Sequence, residues 1–84
     1  MYVKIVTLKK VSGGYAHAST VIHEAETFEA IDEPDENDKK KMQRRRYVIT
    51  RGGESITVLS KPSDKEIRHD VFIENENGDT IGKY

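Results

Sequence analysis

Residues 45–60 read Arg45-Arg-Tyr-Val-Ile-Thr-Arg-Gly-Gly-Glu-Ser-Ile-Thr-Val-Leu-Ser60, a Gly-Gly pair between two runs rich in β-branched residues. The central positions of a two-residue hairpin loop need positive φ angles, which glycine adopts at little steric cost. The stretch therefore predicts a β-hairpin that turns at Gly52-Gly53. Its second strand would carry Ile56 and Val58 on the same face, because side chains alternate along a strand.

Two further turn signals lie between runs of the same kind, Ser12-Gly13-Gly14-Tyr15 and Asn75-Glu-Asn-Gly-Asp79. The chain of 84 residues contains 15 Val and Ile but only two Leu, a bias typical of strands rather than helices. We therefore expect one all-β domain over residues 1–84. It would have about six strands in three hairpins, arranged as a small barrel or a two-layer sheet.

Residues 15–31 fit two structures. A long bent strand would pair back on the first strand through the Gly13-Gly14 turn, and this is the structure we favour. A helix over residues 20–31, capped by Ser19 or Thr20, would instead place four apolar residues on one side and make the fold α+β. Those four residues are Val21, Ile22, Ala25 and Phe28.

Residues 32–45 are predicted to form a charged mobile loop. Asp32 to Asp38 carries five negative charges, and Lys39 to Arg46 follows with six positive ones. A segment with so few apolar residues cannot bury enough surface to offset its ordering entropy. We expect a solvated loop whose two halves nearly neutralise each other.

The basic half of this segment also supports an alternative function, nucleic-acid binding by a small β-barrel. Clustered cations can contact phosphates, and an aromatic ring can stack on a base. The acidic run just before them competes for the same cations, so the solvated loop is preferred. The candidate nucleic-acid-binding residues are Lys39, Lys40, Lys41, Arg44, Arg45, Arg46, Tyr47 and Arg51.

No pattern in the chain predicts a catalytic, cofactor or metal site. A calcium loop starting at Asp35 would need Gly and Glu where Lys40 and Arg46 stand. His69 and Asp70 are adjacent, so in a strand they would point to opposite faces, and no serine nucleophile motif accompanies them. We therefore expect a protein that is not an enzyme and that has no cofactor.

Composition favours a cytoplasmic binding protein without membrane insertion. The chain has no Cys, and charged residues interrupt every apolar run. Its net charge of −1 argues against both a strongly basic nucleic-acid coat and an acidic DNA mimic. Exposed strand edges can template a partner strand, so we expect non-enzymatic protein binding, either to another protein or to a second copy as a homo-oligomer.

Two segments, Val21-Ile-His-Glu-Ala-Glu-Thr-Phe-Glu-Ala30 and Val71-Phe-Ile-Glu-Asn-Glu-Asn-Gly-Asp-Thr-Ile81, resemble short β-rich proteins encoded by bacterial phages and prophages. That group has no assigned activity. The resemblance implies strand structure in both segments and an accessory role, such as modulating a host protein. It assigns no functional residue.

Overall fold

The computed structural model describes residues 1–34, 43–61 and 64–84. These residues form strands without a helix, so the predicted all-β class is confirmed, with seven strands rather than six. The strands are β1 (Tyr2–Val11), β2 (Gly14–Glu24), β3 (Thr27–Pro34), β4 (Gln43–Arg51), β5 (Glu54–Ser60), β6 (Ile67–Glu74) and β7 (Thr80–Lys83).

The strands form two antiparallel sheets, which confirms the two-layer alternative. The four-stranded sheet has the order β2-β1-β6-β7, and the three-stranded sheet has the order β3-β4-β5. Each sheet is built around a predicted hairpin, since β1 pairs with β2 and β4 pairs with β5. The third hairpin, β6 with β7, extends the larger sheet.

The three hairpins are present, but only the second turns where its glycines predict. Gly52 and Gly53 are the two central residues, with φ of 59° and 80°. In the first hairpin Val11 pairs with Gly14, so the central residues are Ser12 and Gly13 rather than Gly13 and Gly14.

The third hairpin turns within its predicted turn signal, residues 75–79, but through a loop longer than two residues, because Glu74 pairs with Thr80. The Asn75 side chain accepts hydrogen bonds from the backbone N–H groups of Asn77 and Asp79, at 2.9 and 3.0 Å. An Asx-type loop thus replaces the tight turn, a geometry that asparagine favours.

The helix considered for residues 20–31 is wrong, and the favoured single bent strand is interrupted. The chain leaves the larger sheet after Glu24 and enters the smaller one at Thr27. At the crossing, the Ala25 N–H donates to the Met1 carbonyl and the Glu26 N–H to the Thr50 carbonyl, both at 2.8 Å. These bonds satisfy the backbone without a helix, and the small Ala25 side chain is buried.

Both ends of the segment predicted to be a mobile loop, residues 32–45, form β-strands in the structure. Residues 32–34 belong to β3 and residues 43–45 to β4, where Asp32 faces Arg45 and Glu33 faces Arg44. Opposite charges directly across an antiparallel pair stabilise it, which explains why strand pairing continues into the charged segment. Residues 35–42 lie outside the described residues, so mobility there stays a prediction.

The core is small and lies between the centres of the two sheets. The larger sheet contributes four buried side chains from β1 and β6, and the smaller sheet contributes Tyr47 and Ile49 from β4. Phe28 stacks on Tyr47 with ring centroids 5.9 Å apart and meets Tyr84 edge-on at 5.1 Å. The buried residues of β1 and β6 are Val3, Ile5, Val71 and Ile73.

The Gly52-Gly53 turn can be tested with one substitution. A Cβ at Gly53 would meet nothing within 4 Å, so any loss of stability must come from its φ of +80°. We expect Gly53→Val to lower the free energy of unfolding by about 1 kcal/mol or more, because β-branched residues tolerate positive φ poorly. Gly53→Asn is the matched control and should lose less, since asparagine adopts this conformation more readily. Equal losses in urea denaturation would contradict the turn geometry.

Candidate functional site: the open side between β2 and β5

Among residues 1–34, 43–61 and 64–84, the two sheets are closed on one side of the molecule and open on the other. At the closed side Phe28 of β3 packs against Tyr84, which follows β7. On the opposite side the sheets end in β2 and β5, and residues of both strands line two depressions. We call this side, comprising β2, β5 and the two depressions, the open side.

The first depression is a groove of about 260 Å³ lined by three isoleucines and four polar or charged residues. Ile22 of β2 and Ile56 of β5 line it and remain 58% and 46% exposed, whereas Ile49 of β4 is buried at 2%. One end carries an ion pair between the sheets, from Arg51 Nη1 to Glu24 Oε2 at 3.0 Å. The core is therefore uncovered at its β2–β5 margin, where the inward-facing Ile56 meets solvent.

The second depression is a polar cleft of about 240 Å³ at the other end of β5. His69 Nδ1 lies 3.2 Å from the Ser60 hydroxyl oxygen, and Ser60 is only 8% exposed. The lining of this cleft includes four basic residues and, among the described residues, one acidic residue, Asp64. The basic residues are Arg45, Lys61, Arg68 and His69, and the side chain of Arg68 lies on the opposite face of β6 from His69.

The Ser60–His69 pair is not extended into a catalytic triad by Asp70. Asp70 follows His69 in β6, and its carboxylate instead accepts a hydrogen bond from Arg68 Nε at 3.1 Å. Residues 68 and 70 share a strand face that His69 does not, so Asp70 cannot orient the imidazole. The sequence prediction that His69 and Asp70 point apart is confirmed. It overlooked that Ser60, nine residues earlier, meets His69.

The arginine run does not form one basic patch. Arg45 shares the inward face of β4 with Tyr47, and its guanidinium holds Asp32 through two hydrogen bonds of 2.6 and 3.2 Å. Arg44 and Arg46 lie on the other face and bracket Glu33, with their Nε atoms 2.9 and 3.4 Å from its Oε1. Each described arginine of the run is thus engaged by a carboxylate from β3.

The aromatic member of the candidate nucleic-acid set is inside the protein. Tyr47 is 2% exposed, and its hydroxyl donates to the Tyr84 carbonyl at 3.0 Å. A ring in that position cannot stack on a base. Arg51 is tied to Glu24 at the far end of β4, away from Arg44 and Arg45. Lys39, Lys40 and Lys41 lie outside the described residues.

Within residues 1–34, 43–61 and 64–84, no group of three or more His, Cys, Asp or Glu side chains is placed to hold a metal ion. The same residues contain no helix long and apolar enough to cross a membrane. Comparison of the chain with protein-family models, with curated proteins and with solved structures gives no match. The site must therefore be interpreted from its own geometry.

The Asp32–Arg45 pair predicts a measurable acid dependence of stability. The Arg45 guanidinium holds the pKa of Asp32 below its ordinary value of 3.8, mainly by hydrogen bonding. The folded chain then binds this proton less readily than the unfolded chain. The pair's contribution is present above about pH 4 to 5 and is lost as the pH falls through the depressed pKa.

We expect Asp32→Asn to be less stable than wild type at pH 7 and to approach wild type near pH 2, in urea denaturation at both values. The control is Asp79→Asn, because the Asp79 side chain makes no ion pair with the described residues. A stability gap between Asp32→Asn and wild type that stays constant with pH would contradict the role of the ion pair.

Proposed function

We propose that this chain is a small non-enzymatic protein-binding module whose open side receives an extended polypeptide segment. The observation that carries the proposal is the groove between β2 and β5, where Ile56, on the same face of the smaller sheet as the buried Ile49, remains 46% exposed. In the part of the chain that the structure describes, no strand pairs with the outer edge of β5, which borders this groove and offers its backbone groups to a partner strand. Edge pairing supplies affinity in such complexes, and side-chain pockets supply specificity.

The dimensions of the open side suit a strand. The two depressions follow one another between Tyr15 and Ile22 of β2, a separation of about 24 Å at the rise of an antiparallel strand. The larger sheet has four strands and the smaller one three, so a strand added beside β5 would equalise the two layers. The groove would then accept apolar side chains, and the polar cleft would accept a polar or acidic group.

The phage resemblance of residues 21–30 and 71–81 supports an accessory role for this module, such as modulating a host protein in the cytoplasm. The core of this domain is small, and binding to a partner would bury additional apolar surface and so stabilise the domain. No catalytic group is required, and the Ser60–His69 pair is assigned to polar contacts in the cleft.

A display library of random peptides, panned on the immobilised chain, tests the proposal without knowledge of the native partner. We expect enrichment of peptides rich in β-branched residues. Their affinity should fall at least tenfold for Ile56→Asp, which places a carboxylate in the groove. Ile81→Asp is the matched control, because Ile81 is 63% exposed on β7, away from the open side, and it should leave binding unchanged.

Both variants are first checked for unaltered folding by far-UV circular dichroism and thermal melting. Failure to enrich any peptide would contradict the proposed function. Peptides that bind Ile56→Asp and wild type equally would also contradict it, because binding would then occur elsewhere.

The alternative function, nucleic-acid binding through Arg44, Arg45, Arg46 and Lys39–Lys41, has a separate test. We expect no retention of the chain on generic DNA or RNA at about 50 mM salt, because the described arginines are paired with carboxylates. Retention that weakens steeply with salt would favour the nucleic-acid interpretation over protein binding.

A further inference from the structure

The longest uncharged segment of the chain coincides with a sheet edge. Residues 11–23, thirteen in all, contain no Asp, Glu, Lys or Arg, although such residues make up 35% of the chain. Elsewhere the longest uncharged run is the six residues 55–60. The segment covers almost the whole of β2, and every β2 residue except His23 is exposed. An exposed strand without charge contrasts with the charged surface around it.

The other edges carry features that discourage strand addition, and β2 largely lacks them. Natural proteins protect sheet edges with short strands, proline, lysine or bulges. Edge strand β7 has four residues, β3 ends at Pro34, and β5 has seven residues that run into Lys61. β2 has eleven residues with neither Lys nor Pro, and only a register shift at Ala18 interrupts its pairing with β1.

Two copies of β2 can pair with each other in antiparallel orientation without placing like charges side by side. A two-fold axis at Thr20 places Thr20 opposite its own copy, Ser19 opposite Val21 and Ala18 opposite Ile22. Thr–Thr pairs across antiparallel strands are favourable, and no charged residue faces a like charge. Glu24, the one charged residue of β2, falls opposite Ala16.

Exposed apolar side chains near β2 also favour pairing with a second copy. Four of the nine large apolar side chains that are exposed in the described residues belong to residues 11–23, namely Val11, Tyr15, Val21 and Ile22. Each is between 45% and 58% exposed, so each has surface left to bury. Backbone pairing alone would cover little area, and Val21 and Ile22, which lie next to the two-fold axis, provide apolar surface that a stable interface needs.

We propose that a second copy of this chain binds the β2 edge of the open side, with β2 joined to β2 across a two-fold axis near Thr20. The two four-stranded sheets then form one continuous eight-stranded sheet. This inference rests on the proposed function, since it names a protein partner for the open side. The second copy occupies the β2 edge, and the β5 edge with its groove stays accessible to a polypeptide segment.

Sedimentation equilibrium between about 1 µM and 1 mM tests the inference with a matched pair of variants. Thr20→Lys puts like charges together at the two-fold axis. Thr57→Lys makes the same change on exposed edge strand β5. We expect wild type and Thr57→Lys to reach twice the chain mass of 9.6 kDa, and Thr20→Lys to dissociate at least tenfold more readily.

A monomeric wild type would overturn the inference, and so would a Thr20→Lys dimer as tight as wild type. Dissociation by Thr57→Lys would also overturn it, because β5 would then be the contact. If Thr20→Lys does not fold, amide hydrogen exchange of wild type replaces it. Protection of β2 amides must then rise with protein concentration, and protection that is independent of concentration overturns the inference.

A failed dimer is distinguishable from a failed protein-binding function. If wild type is a monomer that still binds displayed peptides through Ile56, only the dimer inference is contradicted. If wild type is a monomer that enriches no peptide, both the dimer inference and the proposed protein-binding function are contradicted.

Discussion

The packing of Tyr47 and Ile49 against Val3 and Val71 is the contact on which the rest of the structure depends. These four side chains are buried almost completely, and they join the centres of the two sheets. Each is worth about 1.5–3 kcal/mol of burial, a large share of the stability of a domain this small. Phe28 and Tyr84 close the side of β3 and β7, and the side of β2 and β5 stays open.

This asymmetry connects stability to the proposed function. The closed side uses its aromatic residues for the core, so Tyr47 is withdrawn from the surface where a nucleic acid could have stacked on it. The open side keeps Ile22 and Ile56 half exposed beside two sheet edges. Carboxylates of β3 meanwhile engage Arg44, Arg45 and Arg46 of β4, which disperses the positive charge that composition alone suggested.

The hairpins could be predicted from local sequence, whereas the site could not. Gly52-Gly53 specifies its turn by backbone freedom, a property visible in two residues. The break at Ala25-Glu26 depends on backbone bonds to Met1 and Thr50, so the fate of residues 20–31 was open until the sheets were assembled. The meeting of Ser60 with His69 likewise requires β5 and β6 to lie in facing sheets. The uncharged run over residues 11–23 was the one sequence signal for the open side, and it gains meaning only once β2 is known to be an edge.

The central claim is that the open side is the surface through which this domain binds protein. Mapping backbone ¹H–¹⁵N chemical shifts during titration with an enriched peptide tests it most directly, because every strand reports in one experiment. We expect the largest shift changes in β2 and β5, at residues such as Ile22, Ile56 and Ser60. Changes concentrated instead in β3 and β7, around Phe28 and Ile81, would contradict it.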